Sequence, residues 1–190
     1  MRAFIAIELP REIKDSLAKL QWQLKSSGAD VKWVEPSNIH LTLKFRGEID
    51  DKIQDKAGRA LEESTKDKTA FNMRLAALGA FPKLKSPRVI WVGIDQGDNE
   101  AKAIAKELEQ NLEKIGIPKE DRPFSSHITI GRTRSPQNRE KLVENLTTLA
   151  DKFSQENLEF KVTGITLFKS TLTPGGPIYQ ALKETPLKTT

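Results

Sequence analysis

The chain has 190 residues, of which 37% are hydrophobic and 30% are charged. This balance suits one soluble globular domain, or two small lobes that share a cleft, and argues against a long disordered chain. No apolar run approaches the ~20 residues of a membrane span. The first residues do not resemble a signal peptide, so we expect a cytoplasmic protein without membrane contact. The absence of cysteine excludes disulfides and cysteine-ligated metal sites. The formal net charge of +5 favours an anionic ligand such as nucleic acid.

Five elements are predicted in the first part of the chain, where hydrophobic patterns of period two and period 3.6 alternate. An opening strand precedes a helix that begins at Pro10, carries apolar residues on one face and ends at Gly28. A second strand, a second helix and a third strand follow. The predicted ranges of the five elements are 2–8, 10–28, 38–46, 50–66 and 71–78.

The same order then repeats. Predicted strands cover 88–94, 126–132, 158–169 and 178–182, and helices begin at Asp98-Asn99 and Ser135-Pro136. The segments RAFIAI and RVIWVGI open the two parts, 86 positions apart. Such a repeat predicts two similar lobes related by a pseudo-twofold axis, with halves of about 1–85 and 86–190 and a lobe boundary at 81–87. Each lobe is too small to bury much core alone, so we expect a single domain over 1–190.

Both histidines of the chain lie in the same tetrapeptide pattern. His40 begins the segment HLTL, and His127, 87 positions later, begins HITI. Because side chains alternate along a strand, His and Thr share one face while the aliphatic residues point to the opposite face. The aliphatic face packs against helices, so the His-Thr face must look into a space that suits polar groups.

Two imidazoles that face each other can divide general base and general acid catalysis, because the reference pKa of histidine, about 6.5, allows both protonation states near neutral pH. This division suits in-line displacement at phosphorus. The hydroxyls of Thr42 and Thr129 can donate hydrogen bonds to the non-bridging oxygens. We expect no metal and no cofactor, since two histidines without cysteine or a matched carboxylate cluster make a poor metal site.

The paired motifs resemble those of the two-histidine (2H) phosphoesterases, and within them the RNA 2′,3′-cyclic phosphodiesterases, also called 2′-5′ RNA ligases. The resemblance covers nearly the whole chain and includes MRAFIAIELP, NIHLTLKFRGE, RVIWVGI, FSSHITIGR and STLTPGGPIY. It implies an α+β fold of duplicated β-α-β-α-β units, with two mainly antiparallel sheets facing a central cleft and helices outside. It also implies hydrolysis of an RNA 2′,3′-cyclic phosphate end to a 2′-phosphomonoester, in RNA processing, by a protein that we expect to be a monomer.

The resemblance also implies roles for individual residues. By position in the motifs, His40 matches the family's proton donor, His127 its proton acceptor, and Thr42 and Thr129 its phosphate-contacting threonines. Arg132 matches a basic residue near the phosphate. Arg132 lies five positions after His127, so a regular strand would place the two side chains on opposite faces. Arg132 can enter the cleft only through a bulge or at the end of the strand.

Two positions depart from the family pattern. Arg46 stands where the family usually has leucine, and we expect its side chain on the surface. Ser126 stands where proline is common, and no effect on the chemistry is expected. Aromatic residues near the motifs could stack on a base, but a core position is favoured for each of Trp33, Phe45, Phe81 and Phe124. A basic rim for an RNA backbone could come from Lys83, Lys85, Arg88, Arg134 and Arg139, and a solvated surface fits them equally.

Two other functions compete with hydrolysis of RNA ends. One is a cyclic phosphodiesterase for a small nucleotide, such as an ADP-ribose cyclic phosphate. The other is a module that holds nucleotides or RNA ends without turning them over. Intact His and Thr in both motifs speak against the binding module, because binding alone needs no acid-base pair.

Overall fold

Two antiparallel sheets make up the β structure of the computed structural model, which describes residues 1–189 except for the side chains of Phe45 and Arg46. The predicted surface position of Arg46 therefore concerns a side chain outside the described part of the chain. The strands are β1 (Arg2–Glu8), β2 (Val31–Trp33), β3 (His40–Glu48), β4 (Phe71–Lys83), β5 (Ser86–Ile94), β6 (His127–Thr133), β7 (Leu158–Val162), β8 (Gly164–Thr173) and β9 (Gly176–Pro186). The first sheet has the order β3-β1-β8-β9 and the second β2-β6-β5-β4-β7.

Four α-helices cover the sheets, as predicted: α1 (Arg11–Lys25), α2 (Asp51–Thr65), α3 (Asp98–Glu113) and α4 (Arg139–Phe153). Helices α2 and α3 pack on each other and on the first sheet, while α4 packs on the second sheet and contacts α1. The α2 helix begins where the carboxylate of Asp50 accepts a hydrogen bond from the backbone N–H of Ile53 at 2.8 Å. The apolar faces of the helices and sheets meet in one continuous core. The predicted α+β architecture is confirmed.

The two sheets have corresponding orders, because β3-β1-β8 in the first matches β6-β5-β4 in the second. Strands β1 and β3 come from the first half of the chain, but their neighbour β8 comes from the second half. The second sheet has the reverse exchange: β5 and β6 pair with β4, which comes from the first half. The predicted lobe boundary at 81–87 is therefore wrong, since this segment is the β4–β5 hairpin inside the second sheet.

Several elements differ from the sequence prediction, and β4 and β9 are both longer than predicted. The short edge strand β2 is additional, and the predicted strand 158–169 divides into β7 and β8, which belong to different sheets. The chain changes sheets at Gly164, where an added side chain would approach the carbonyl oxygen of Thr185 to 3.1 Å. Helix α4 begins at Arg139 rather than at Ser135-Pro136.

Candidate active site

The two histidine motifs line one cleft between the sheets, and its volume is about 920 Å³. His40 and Thr42 reach it from β3 of the first sheet, and His127 and Thr129 reach it from β6 of the second. Arg132, near the end of β6, lines the same cleft. The structure thus brings together all five residues that the sequence predicted for the site.

Strand alternation places the two motifs as predicted. In each motif the aliphatic residues face the core: Leu41 and Ile128 are fully buried. The histidines and threonines of the motifs are half-buried and face the cleft. The core therefore fixes the backbone directly beneath the polar groups.

A β-bulge follows the threonine in each motif. In β6 the pair formed by Trp91 and Thr129 is followed by a register shift, which leaves Ile130 as an extra residue. The shift returns Arg132 to the strand face that Thr129 occupies, and this explains how Arg132 reaches the cleft despite its sequence parity. In β3 the register shift leaves Leu43 as the extra residue, at the equivalent place in its motif.

Both imidazole rings are oriented by the same kind of hydrogen bond. Nδ1 of His40 lies 2.7 Å from the carbonyl oxygen of Asn38, and Nδ1 of His127 lies 2.8 Å from that of Ser125. A carbonyl only accepts hydrogen bonds, so each Nδ1 carries a proton and donates it. Nε2 is then the atom of each ring that can gain or lose a proton. In His40 it lies 2.9 Å from Oγ1 of Thr42.

Aromatic rings hold His40 from two sides. Phe4 of β1 is stacked on it with ring centroids 4.7 Å apart. Tyr179 of β9 meets its edge at 5.4 Å. Phe168 of β8 in turn stacks on Phe4 at 5.2 Å. Three neighbouring strands of the first sheet therefore contribute an aromatic floor under this histidine, formed by Phe4, Phe168 and Tyr179.

Burial lowers the pKa of His40 below its ordinary value of 6.5. The hydrogen bond to the Asn38 carbonyl and the charge of Glu8 act in the opposite direction, while the charge of Lys14 lowers the pKa further. In the protein alone, these effects favour a neutral imidazole near neutral pH.

Phe81 of β4 lies beside His127. Its ring meets the imidazole edge-on at 5.2 Å and lies 5.2 Å from Trp91. The predicted core position is wrong for Phe81, which is 38% exposed. Phe124 packs against the core and also lines the cleft, whereas Trp33 packs against the core as predicted.

Tyr179 of the first sheet and Arg132 of the second reach the same cleft. Burial raises the pKa of the Tyr179 phenol, and the positive charge of Arg132 acts to lower it. The cleft thus receives a phenol from one sheet and a guanidinium group from the other.

The basic residues of the cleft are not those suggested by the sequence. None of the five residues proposed as a basic rim lines it. The cleft is instead lined, apart from Arg132, by Arg2, Lys102, Lys106, Lys119 and Arg122. These come from the start of β1, from α3 and from the segment 118–126 that leads into β6.

A buried lysine connects β3 to this segment. The side chain of Lys44 is 3% exposed and forms ion pairs with Glu109 of α3 and, at 3.4 Å, with Glu120. Its ammonium group also donates to the carbonyl oxygen of Pro118 at 3.1 Å. Glu109 accepts the backbone N–H of Glu120 at 2.9 Å. This network holds together the wall of the cleft that is formed by α3 and the segment 118–126.

Within residues 1–189, no group of three or more histidine, aspartate or glutamate side chains is arranged to hold a metal ion. In the same part of the chain, no helix combines the length and the apolar character that crossing a membrane requires.

Sequence reasoning missed the aromatic floor and the carbonyl acceptors. Tyr179 carried a signal, because it is the single tyrosine of the chain and follows the turn at 174–177. Asn38 and Ser125 carried another, since each precedes a motif histidine by two positions. The cleft lysines carried none, because they resemble the other solvent-facing lysines of an amphipathic helix.

Known proteins resemble this chain in sequence and in structure over nearly its whole length. An RNA 2′,3′-cyclic phosphodiesterase of Methanocaldococcus jannaschii is 38% identical over 186 residues, which are 97% of this chain and 99% of that protein. The crystal structure of TT0787 of Thermus thermophilus has a TM-score of 0.81 and 27% identity, and the match covers 100% of this chain and 99% of that one. E. coli LigT complexed with 3′-AMP has a TM-score of 0.78 and 26% identity, over 98% and 97% of the two chains. The LigT like phosphoesterase family model matches twice, over 7–91 and 92–179, so that each match contains one histidine motif. With both matches and a cleft lined by both motifs, the chain belongs to the LigT like phosphoesterase family.

Proposed function

We propose that this phosphoesterase hydrolyses the 2′,3′-cyclic phosphate at an RNA end to a 2′-phosphomonoester, without a metal ion, with two histidines as general acid and general base. One observation carries the proposal: His40 and His127 line one cleft, each with Nδ1 bonded to a backbone carbonyl and Nε2 left for proton transfer. The name of the Methanocaldococcus relative supports the substrate class. The 3′-AMP complex of E. coli LigT supports a nucleotide ligand.

The reaction is a single in-line displacement. Nε2 of His127 takes a proton from water as the water oxygen forms a bond to phosphorus. The bond between phosphorus and the 3′-oxygen breaks, and Nε2 of His40 gives its proton to that oxygen. The product has a 2′-phosphate and a free 3′-hydroxyl. Proton exchange with water then returns both imidazoles to their starting states.

The proposed donor role of His40 requires a protonated ring, while burial lowers its pKa in the protein alone. The substrate resolves this conflict, because a phosphodiester carries a negative charge. A negative charge close to the imidazole favours its protonated form. Binding of the cyclic phosphate is therefore expected to raise the pKa of His40 and to charge it when it is needed.

The remaining site residues stabilise the phosphate. In the protein alone, the hydroxyl of Thr42 lies 2.9 Å from Nε2 of His40, so it stands next to the position where the leaving oxygen would bind. Thr129 lies at the equivalent place of its motif and lines the same cleft. Arg132 adds a positive charge on the same strand face. Fixed donors and charge aimed at the developing oxyanion lower the barrier most when they are held in place before the reaction.

The primary experiment uses a short RNA with a 2′,3′-cyclic phosphate in excess chelator, with the product isomer identified. We expect a 2′-phosphate product, and a loss of about 10²–10⁴-fold in kcat for each of H40A and H127A. W22A is the control, because Trp22 is 75% exposed on α1 and does not line the cleft. Full activity in both histidine variants, a 3′-phosphate product or inhibition by the chelator would contradict the proposal.

A second experiment separates the two histidines. A nitrophenyl phosphodiester has a leaving group that departs as a stable anion and needs no proton. We expect H40A to recover most of its activity on this substrate relative to the cyclic phosphate, whereas H127A stays impaired because it lacks the base. Recovery in H127A alone would reverse the assignment of donor and acceptor.

A further inference from the structure

The cleft extends beyond the histidine motifs along α3 and the segment 118–126. Lys106 lies on α3, four residues after Lys102, and both line the cleft. Arg122 lines it from the segment before β6. The volume of about 920 Å³ lies near the upper end of pockets that take one small molecule, so a single nucleotide leaves part of it free.

The five cations that line the cleft besides Arg132 differ in their partners. Three have carboxylate partners within 4.0 Å: Arg2 with Glu48, Lys102 with Asp98, and Lys119 with Glu113. Within residues 1–189, Lys106 and Arg122 have no such partner, and both are exposed. These two cations therefore have their charges available for a ligand.

The acidic residues of the same wall balance only part of the positive charge. Glu109 and Glu120 are both bonded to the buried Lys44. Asp121 is the remaining carboxylate of the lining among the described residues. Glu109 and Glu120 share the single charge of Lys44, so this network keeps one negative charge. Lys106, Arg122 and Arg132 therefore leave the lining with an excess of one positive charge. The cleft as a whole therefore favours an anionic ligand, and Lys106 and Arg122 are the cations of its extension that are free to contact one.

We propose that Lys106 and Arg122 bind phosphates of the RNA backbone upstream of the terminal cyclic phosphate, so that the protein prefers polynucleotide ends to mononucleotide cyclic phosphates. This inference rests on the proposed function. Both the 2′- and the 3′-oxygen of the terminal ribose belong to the cyclic phosphate, so the RNA can leave the site only in the 5′ direction. An RNA chain that runs along the extension of the cleft would meet Lys106 and Arg122, as expected for single-stranded RNA bound through its backbone.

The test compares kcat/KM on a nucleoside 2′,3′-cyclic phosphate with that on a four-nucleotide RNA bearing the same end. The wild type is expected to favour the RNA by at least tenfold at low salt. The double variant K106Q/R122Q is expected to reduce this ratio about fivefold to tenfold, since each exposed charge contact contributes a factor of a few. The matched control is R139Q/K141Q on α4, where both residues are exposed and lie outside the cleft.

Salt dependence gives a second readout. Each phosphate contact on a single strand contributes about 0.7 to the slope of log affinity against log salt, so K106Q/R122Q should flatten the slope for the RNA by about 1.4. Equal kcat/KM on both substrates in the wild type, or an unchanged ratio and slope in K106Q/R122Q, would overturn the inference while leaving the proposed function intact. Failure to hydrolyse either substrate would contradict the proposed function instead.

Discussion

The ion network around Lys44 makes a quantitative prediction about the free energy of unfolding. We compare E109Q, which leaves the lysine charge, with K44M, which removes it. Loss of one partner from a buried ion pair costs about 3–5 kcal/mol when the other charge stays buried. In E109Q the ammonium of Lys44, 3% exposed, keeps Glu120 and the Pro118 carbonyl, so we expect the lower end, about 3 kcal/mol.

In K44M no buried charge remains. The carboxylate of Glu109 is 24% exposed, so water can reach it, and it still accepts the backbone N–H of Glu120. The methionine side chain fills the space of the lysine stem. We therefore expect a cost of about 1 kcal/mol, which is less than the cost of losing the acid.

The assay is urea unfolding followed by tryptophan fluorescence. With an m-value of about 2 kcal/mol per molar, the two variants should differ by about 1 M in unfolding midpoint. E107Q is the matched control, because Glu107 lies on the same helix and its ion pair with Lys68 is more exposed. Its cost should stay below about 1 kcal/mol. If K44M is destabilised as much as E109Q, the reasoning from residual buried charge is wrong.

The same network predicts a pH dependence. Partial burial acts to raise the pKa of Glu109, but the hydrogen bonds from Lys44 and the Glu120 backbone outweigh it and keep the pKa below its usual value of 4.5. The folded state thus gains stability from the ionised carboxyl above pH 4.5, and loses it as the pH falls through the lowered pKa. The difference in stability between the wild type and E109Q should therefore shrink in acid.

Three further predictions concern the cleft. R132Q should raise the pKa of Tyr179, because the arginine charge that lowers it is removed, and phenolate absorbance reports this directly since the chain has one tyrosine. K14M should raise the pKa of His40 and move the alkaline limb of the kcat/KM profile to higher pH, if His40 acts as the donor. F81L should lower kcat by about twofold to tenfold, because an aromatic contact with His127 is worth about 0.5–1.5 kcal/mol.

Each of these has a control or an opposing result. R134Q should leave the tyrosine titration unchanged, because Arg134 pairs with Asp30 at 3.3 Å and does not line the cleft. E8Q should move the alkaline limb to lower pH, since the charge of Glu8 raises the pKa of His40. A shift of the acid limb in K14M would instead make His40 the base. An unchanged kcat in F81L would mean that Phe81 does not hold the ring.

Most elements of the fold could be predicted from the sequence because their hydrophobic periods are clear. The motif strands alternate between polar and aliphatic residues, and the helices carry apolar faces. Periodicity identifies an element but not its partners, so the exchange of β4 and β8 between the sheets was not predictable. The same limit explains why the predicted strand 158–169 was not divided into two.

The candidate site could be predicted where the two motifs repeat, and less well where it depends on tertiary contacts. The two histidines and threonines share a pattern that needs no knowledge of the fold. Arg132 reaches the cleft because of a β-bulge in β6. Its position relative to His127 indicated that a bulge was needed, but no residue in the sequence marked where the bulge lies. Phe81 and His127 come into contact only in the folded sheet, so the sequence alone did not indicate the exposed position of Phe81. The monomeric state and the roles of the site residues stay predictions.

The exchanged strands make the two halves of the chain depend on each other. Because β8 is hydrogen-bonded beside β1, and β4 beside β5, each half of the chain is anchored inside the sheet of the other. Separation of the two halves would therefore break two rows of interstrand hydrogen bonds, one in each sheet. Neither half, produced as an isolated fragment, would retain a complete sheet.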